Sequence, residues 1–251
     1  MFEGKIKISN MEIPRILLGT SPFIAAAQFG HRARLYQIDL YNNPDNILEI
    51  IKKSYEIGIT GIQVIPYPPV VEALGLALES GYTMEIVGTV RPGNETEDIK
   101  LFSDLDASSM LLHANITDEK DWDFIAEKLN AIKDENSVPG LVTHRPFSTT
   151  LSLLESTVLD LFDVYMVPVN KLGYLMDCDI FGSDEKIKLE TMIKSLDKTV
   201  IVKKVLAAGV LKPQEAFDFL KTVEFADGVA LGIASVDEAS ETFNLLSSVK
   251  D

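Results

Sequence analysis

Eight times along this chain a short apolar run gives way to a stretch with helical periodicity, and no linker-like segment breaks the alternation. Repeated strand–helix units of this kind bury a parallel sheet under a layer of helices, which leaves few architectures open. The apolar runs predict strands at Ile16–Thr20, Ile59–Ile65, Met84–Val90, Ser109–Ala114, Gly140–His144, Asp163–Val169, Thr199–Leu206 and Gly228–Gly232. Between them, apolar spacings of three and four residues predict helices over Asp45–Tyr55, Val70–Glu79, Glu95–Phe102, Asp118–Ile132, Thr149–Leu159 and Asp184–Leu196. Pro213 fits the first turn of a seventh helix, where a missing N–H does no harm, and Ser235 with Glu238 forms the capping signature of an eighth. Ahead of the first unit, Lys5–Ile8 and Glu12–Ile16 read as a small hairpin turning at Ser9-Asn10. The expected fold is a single (β/α)₈ TIM barrel over residues 1–251 with an N-terminal β-hairpin, and a doubly wound open sheet is the alternative.

Composition narrows the function classes. The longest apolar runs are strand length, too short for a bilayer span, and the opening MFEGKIKISN lacks the regions of a signal peptide. A single cysteine, Cys178, excludes an intrachain disulfide and any cysteine-built metal site, so a cytoplasmic setting is expected. With 23 basic against 38 acidic residues the net charge is −15, which repels nucleic-acid backbones and anionic membranes. A small-molecule ligand is the expected partner, with neither nucleic acid nor membrane. No Walker A loop, HExxH, GxSxG or acidic metal cluster is present, and no metal is expected.

In a barrel of this kind the site is built at the C-terminal ends of the strands. The residues there are Thr20-Ser21, Gln63 to Tyr67, Thr89 to Arg91, His113, Thr143-His144-Arg145, Val169-Asn170, Lys203-Lys204 and Gly232 to Ser235. The last strand ends in Gly232 and runs through Ala234 into a helix capped at Ser235, so free N–H groups and the helix dipole should converge on an anion, with phosphate the expected occupant. The bland alternative is a tight connection whose glycine only relieves crowding. Lys203 and Lys204 could neutralise such a phosphate, form a Schiff base with a carbonyl substrate, or be solvated strand-end lysines. Because strand side chains alternate, the two should point to opposite faces, which favours a charged lysine holding phosphate. His113 could donate to a substrate oxygen or exchange a proton, or be a core histidine satisfied by backbone. The long first loop, Ser21 to Pro44, carries His31, Arg32 and Arg34 and reads as a lid over an anion or as a solvated loop.

Several segments resemble the aldo-keto reductase superfamily. Met11 through Thr20 is similar to that family's hairpin strand and glycine–threonine turn, Glu72 through Leu78 to its second helix, and Leu111-Leu112-His113 to its fourth strand with the active-site histidine. Leu206 through Leu211 resembles the run after strand seven, and Gly232 through Glu241 the region that holds the adenosine end of NADP. The resemblance implies an atypical NADP(H)-dependent oxidoreductase acting on a small carbonyl or hydroxyl compound. It places His113 and Tyr67 at the carbonyl, and Thr143, His144, Asn170, Leu206, Gly232, Ala234, Ser235 and Glu241 around the cofactor; Lys204 joins the catalytic set from its place at the strand-seven mouth, where with Ser235 it would hold phosphate. Departures from the family set are equally visible. Gln63 stands at the aspartate position, Val90 at the strand-three lysine, Met166 at the strand-six glutamine, and Lys203 where an aromatic would stack on nicotinamide. Two other functions therefore remain open: a Schiff-base lyase or aldolase using Lys203 or Lys204 on a phosphorylated substrate, and a non-catalytic nucleotide- or partner-binding barrel.

Overall fold

The computed structural model describes residues 2–8 and 11–248. Two antiparallel strands, β1 (Lys5–Ile8) and β2 (Met11–Pro14), form the hairpin; its expected turn at Ser9-Asn10 lies outside the described residues. Eight parallel strands then close into a barrel: β3 (Ile16–Gly19), β4 (Gly61–Val64), β5 (Glu85–Val90), β6 (Ser109–Leu112), β7 (Val138–Val142), β8 (Val164–Pro168), β9 (Thr199–Lys203) and β10 (Gly228–Gly232), with β10 pairing back onto β3. Closure excludes the open-sheet alternative.

Strand alternation divides the core into two layers. Leu17, Val87, Leu111, Val142, Val164, Met166, Ile201 and Ala230 fill the barrel interior, together with Ile6, Ile8 and Ile13 of the hairpin. The hairpin therefore plugs the N-terminal end of the barrel, opposite the expected site. The other face of each strand, including Leu18, Ile62, Met110, Tyr165, Val202 and Leu231, packs under the helices. Space inside is tight: a Cβ on Gly140 would collide with Leu111 Cδ2 and lie 2.6 Å from the Val164 carbonyl oxygen.

The helices are α1 (Arg32–Tyr36), α2 (Pro44–Glu56), α3 (Pro68–Glu79), α4 (Glu95–Asp104), α5 (Ala114–Thr117), α6 (Trp122–Asp134), α7 (Ser148–Leu153), α8 (Ser183–Leu196), α9 (Pro213–Leu220) and α10 (Val236–Ser248). In α2, Ile47, Ile50, Ile51 and Ser54 form the buried face, and Pro44 opens the helix. α3 likewise begins earlier than the apolar pattern suggests, because Pro68 and Pro69 occupy its first turn. The helix expected from Asp118 begins instead at Trp122, where Asp121 caps it by accepting from the Phe124 N–H at 3.2 Å. Asp118 itself is released to end the one-turn α5. The helix expected over Thr149–Leu159 stops at Leu153, and a 3₁₀ turn at Leu159–Leu161 follows. β9 ends at Lys203, short of the expected Leu206, because Lys204 adopts φ +60°. Among the described residues no helix is long and apolar enough to cross a membrane.

Candidate active site

The interior layer of each strand continues upward into the mouth. Two residues beyond Leu111 comes His113, beyond Val142 comes His144, beyond Ile201 comes Lys203, beyond Val87 comes Thr89 and beyond Gly61 comes Gln63. All five line one cleft at the C-terminal face, with Val142, Met166 and Ala230 as its apolar floor. Gln63 Nε2 donates to Thr89 Oγ1 at 2.7 Å, so these two polar groups satisfy one another.

Lys204 lines the same cleft, which corrects the expectation that the two lysines point to opposite faces. Alternation would send Lys204 outward, but its left-handed backbone ends the strand and turns the side chain inward. Among the described residues neither ammonium has a hydrogen-bond partner. Burial pushes the Lys203 amine well below the usual lysine range, and the neighbouring charge of Lys204 pushes it further, with Asp118 opposing. Burial lowers Lys204 to about 8, again against the pull of Asp118.

Both histidines are neutral at pH 7. Burial, then the charge of Lys203, lowers His113 to about 4; the same causes, with Lys204 and His113 added, lower His144 to about 2. Their rings meet edge to face at 5.6 Å. His113 Nδ1 accepts from the Asn115 N–H at 3.1 Å, which assigns the proton of the neutral ring to Nε2 and leaves that N–H as the donor. His144 is placed by Asp118, whose Oδ2 accepts its backbone N–H at 3.0 Å. Asp118 Oδ1 accepts from Thr143 Oγ1 at 2.5 Å and from Thr149 Oγ1 at 2.8 Å. The sequence gives Asp118 no distinguishing signal, since an aspartate ahead of an apolar stripe reads as a helix start.

Of the lid residues, Arg32 alone reaches the cleft; His31 and Arg34 lie off it. The Arg32 guanidinium donates to the Ala208 carbonyl, tying the first loop to the loop after β9, while Phe29 and Tyr36 stack edge to face at 5.0 Å beside it. That second loop is held in left-handed backbone at Ala207, Ala208 and Gly209.

The remaining expected residues divide. Leu206, Gly232 and Ala234 line the cleft. Thr143 is fully buried on Asp118, and Asn170 is fully buried, its side chain spent on the N–H groups of Leu172 and Tyr174 and the Tyr174 carbonyl. Tyr67 stands outside the cleft, under the Arg91 guanidinium at 5.2 Å, and Arg91 is in turn held by the buried Asp98. Ser235 is exposed and caps α10 by accepting from the Glu238 N–H at 3.1 Å, and Glu241 is exposed on the same helix. The N–H groups expected to be free here are not all free: Ala234 N–H donates to Glu238 Oε2 at 2.7 Å. Glu238 reaches one residue further back than a capping box requires, and so occupies the anion position itself.

A closed parallel barrel with a polar cleft at its C-terminal mouth defines the class to which the comparisons speak. No protein-family model matches the chain, and no curated protein matches it. Among solved structures, a candidate aldo-keto reductase of Pseudomonas aeruginosa superposes with TM-score 0.66 at 16% identity, over 98% of this chain and 95% of that one. A single-residue mutant of Gox0644, solved in complex with NADPH, gives TM-score 0.65 at 11% identity over 99% and 89%. Phosphoribosyl anthranilate isomerase from Thermus thermophilus gives 0.53 at 13% over 81% and 95%. The chain thus shares the (β/α)₈ barrel fold of these structures.

Proposed function

We propose that this chain is an enzyme that captures a small carbonyl compound as a Schiff base on Lys203. The observation that carries the reading is the convergence of Lys203 and Lys204 on one desolvated cleft. A lysine is a nucleophile only when neutral, and burial beside a second cation is a recognised way to make it so. The Lys203 lone pair attacks the carbonyl carbon; its two N–H protons and the carbonyl oxygen leave as water. His113 Nε2–H, a donor whose tautomer is fixed, lines the same cleft and would serve the departing oxygen. Once protonated, the imine draws electrons from the adjacent bond, which suits cleavage, condensation or proton exchange at that carbon. Lys203→Met and wild type are treated with borohydride in the presence of small aldehydes and ketones and mapped by mass spectrometry. A reduced adduct on the Lys203 peptide, absent from the variant, is the expected result; adducts confined to surface lysines overturn the reading.

A second reading, NADP(H)-dependent carbonyl reduction, is favoured by the shared fold with a chain solved with NADPH and by the His113 donor. The residues present fit that cofactor poorly. The Glu238 carboxylate sits on the N–H where a cofactor phosphate would be held, and Lys203 stands where the resemblance puts an aromatic. Saturable NADPH binding by fluorescence, coupled to carbonyl-dependent oxidation, would favour this reading over the first.

A further inference from the structure

We infer that the substrate of this site is a short 2-oxo acid, its carbonyl carbon bonded to Lys203 and its carboxylate held by Lys204. The inference rests on the Schiff-base reading and adds the chemistry of the group next to the reacting carbon.

Three observations carry it. The first is distance. Lys203 and Lys204 are consecutive, so their Cα atoms are ~3.8 Å apart, and both side chains enter one cleft. The charge of Lys204 also acts on the Lys203 amine, so an anion paired with Lys204 would share the surroundings of the carbon that bonds Lys203. In a 2-oxo acid the carboxylate is attached directly to that carbon. A phosphate ester carries its charge several bonds further away and would have to find it elsewhere in the mouth.

The second observation is that the turn expected to receive an anion already carries a carboxylate. The entry to α10 presents the Ala234 N–H, but Glu238 Oε2 accepts it at 2.7 Å, and the Ser235 hydroxyl oxygen accepts from the Glu238 N–H. A distal phosphate arriving there would meet a carboxylate. The Arg32 guanidinium donates to the Ala208 carbonyl, which holds it over the loop after β9.

The third is the balance of charge and polarity in the cleft. The whole chain carries −15, yet among the described residues the lining holds two cations, Lys204 and Arg32, beside the nucleophilic Lys203 amine, against one carboxylate, Glu238. Such a local reversal draws small anions in and holds them. Beyond the lysines the floor is Val142, Met166 and Ala230, which offers apolar contact and no hydrogen bonds from side chains. A methyl or short alkyl substituent on the carbonyl suits that floor. The bond-forming step is the one already described and needs no oxidant or reductant: Lys203 supplies the nitrogen, and water leaves with the carbonyl oxygen.

The test is competitive trapping. Wild-type protein is treated with borohydride and equal concentrations of pyruvate, acetone and glyceraldehyde 3-phosphate, each separately and in mixture, and the Lys203 peptide is quantified. Lys204→Met and Lys204→Arg are run in parallel. Pyruvate is expected to give the dominant Lys203 adduct, and Lys204→Met to weaken pyruvate capture by about tenfold or more, the worth of one charge-assisted hydrogen bond. Lys204→Arg should restore most of the loss, and in Lys204→Met acetone trapping, which reads only the Lys203 amine, should fall much less than pyruvate trapping. Equal trapping of acetone and pyruvate, or preferred trapping of the phosphorylated aldehyde, overturns the substrate assignment while leaving the Schiff base standing. Absence of any adduct on Lys203 with all three carbonyls overturns both. The wild-type competition decides the assignment even if Lys204→Met does not fold.

Discussion

Glu238 Oε2 lies 2.7 Å from the backbone nitrogen of Ala234, so the turn from β10 into α10 carries its own anion. Burial pushes the Glu238 carboxyl above its usual range, with the Ala234 N–H and the charge of Arg32 acting the other way. Glu238→Gln keeps an oxygen on the Ala234 N–H and removes the charge. The variant should bind inorganic phosphate or NADPH about tenfold more tightly than wild type, as removal of a like charge at a helix N-terminus predicts. Isothermal titration with both ligands measures this, and an unchanged affinity would show that the turn is not an anion position.

Lys203 should titrate by its surroundings. Its reactivity with an amine-labelling reagent, followed peptide by peptide against pH, should rise and level off well below the range in which surface lysines are still climbing. Lys204→Met removes a cation and should move the Lys203 midpoint upward. Asp118→Asn removes the carboxylate that opposes burial and should move it downward. The other groups facing Lys203, His113 and His144, are neutral in this range and leave the midpoint alone. Coincident midpoints for all lysines would contradict the geometry.

Backbone strain and function meet at Lys204. Its φ of +60° is costly for a residue with a Cβ but tolerated by asparagine. Lys204→Asn should therefore stabilise the fold by about 1 kcal/mol, roughly 2–4 °C in a chain of this size, while abolishing the anion contact. Lys204→Met keeps the strain and should gain less. Thermal melts of the two variants, set against pyruvate capture, separate the effects.

Acid should weaken the fold through the two histidines. With folded-state values of about 4 for His113 and about 2 for His144, both remain neutral while the unfolded chain takes up protons near 6.5. Their contribution is complete above pH 6.5 and is lost as pH falls toward the folded values. His144→Gln removes one of these unmatched protons, so between pH 6 and 5 its stability should fall less steeply, by up to ~1.4 kcal/mol per pH unit. Urea unfolding of both proteins at several pH values gives the slopes; identical slopes would mean that His144 is charged in the folded state.

Barrel closure should be intolerant at Gly140. Alanine there places a Cβ against the Val164 carbonyl, which cannot rotate away, as well as against Leu111. Gly140→Ala should destabilise by about 1–3 kcal/mol, read from urea midpoints at constant slope.

The barrel itself was legible from the chain, because its information is local and repeated. Alternating runs such as Val200-Ile201-Val202 and stripes such as Ile47, Ile50 and Ile51 announce strand and helix whatever the rest of the molecule does. Alternation also accounts for the strand-end residues that face the mouth, since His113, His144 and Lys203 each follow an interior residue by two, but which residues are interior, and so which of Lys203 and Lys204 faces inward, came from the closed barrel. Element ends were less legible, since prolines at α3 and the Asp121 cap of α6 shift boundaries by a few residues. Three features of the site depended on the fold alone. One backbone angle at Lys204 brings two lysines into a single cleft against the strand rule. Tyr67, near the right place in sequence, is drawn away to stack under Arg91, whose own position is fixed by the buried Asp98. Glu238, a helix cap by its spacing, stretches to Ala234 and takes the place of a ligand's charge. Periodicity determines which face of an element is buried, because that follows from backbone geometry common to all sequences. Which groups meet across a barrel mouth depends on residues as distant in sequence as Arg32 and Ala208, separated by 176 positions, and only the closed fold brings them together.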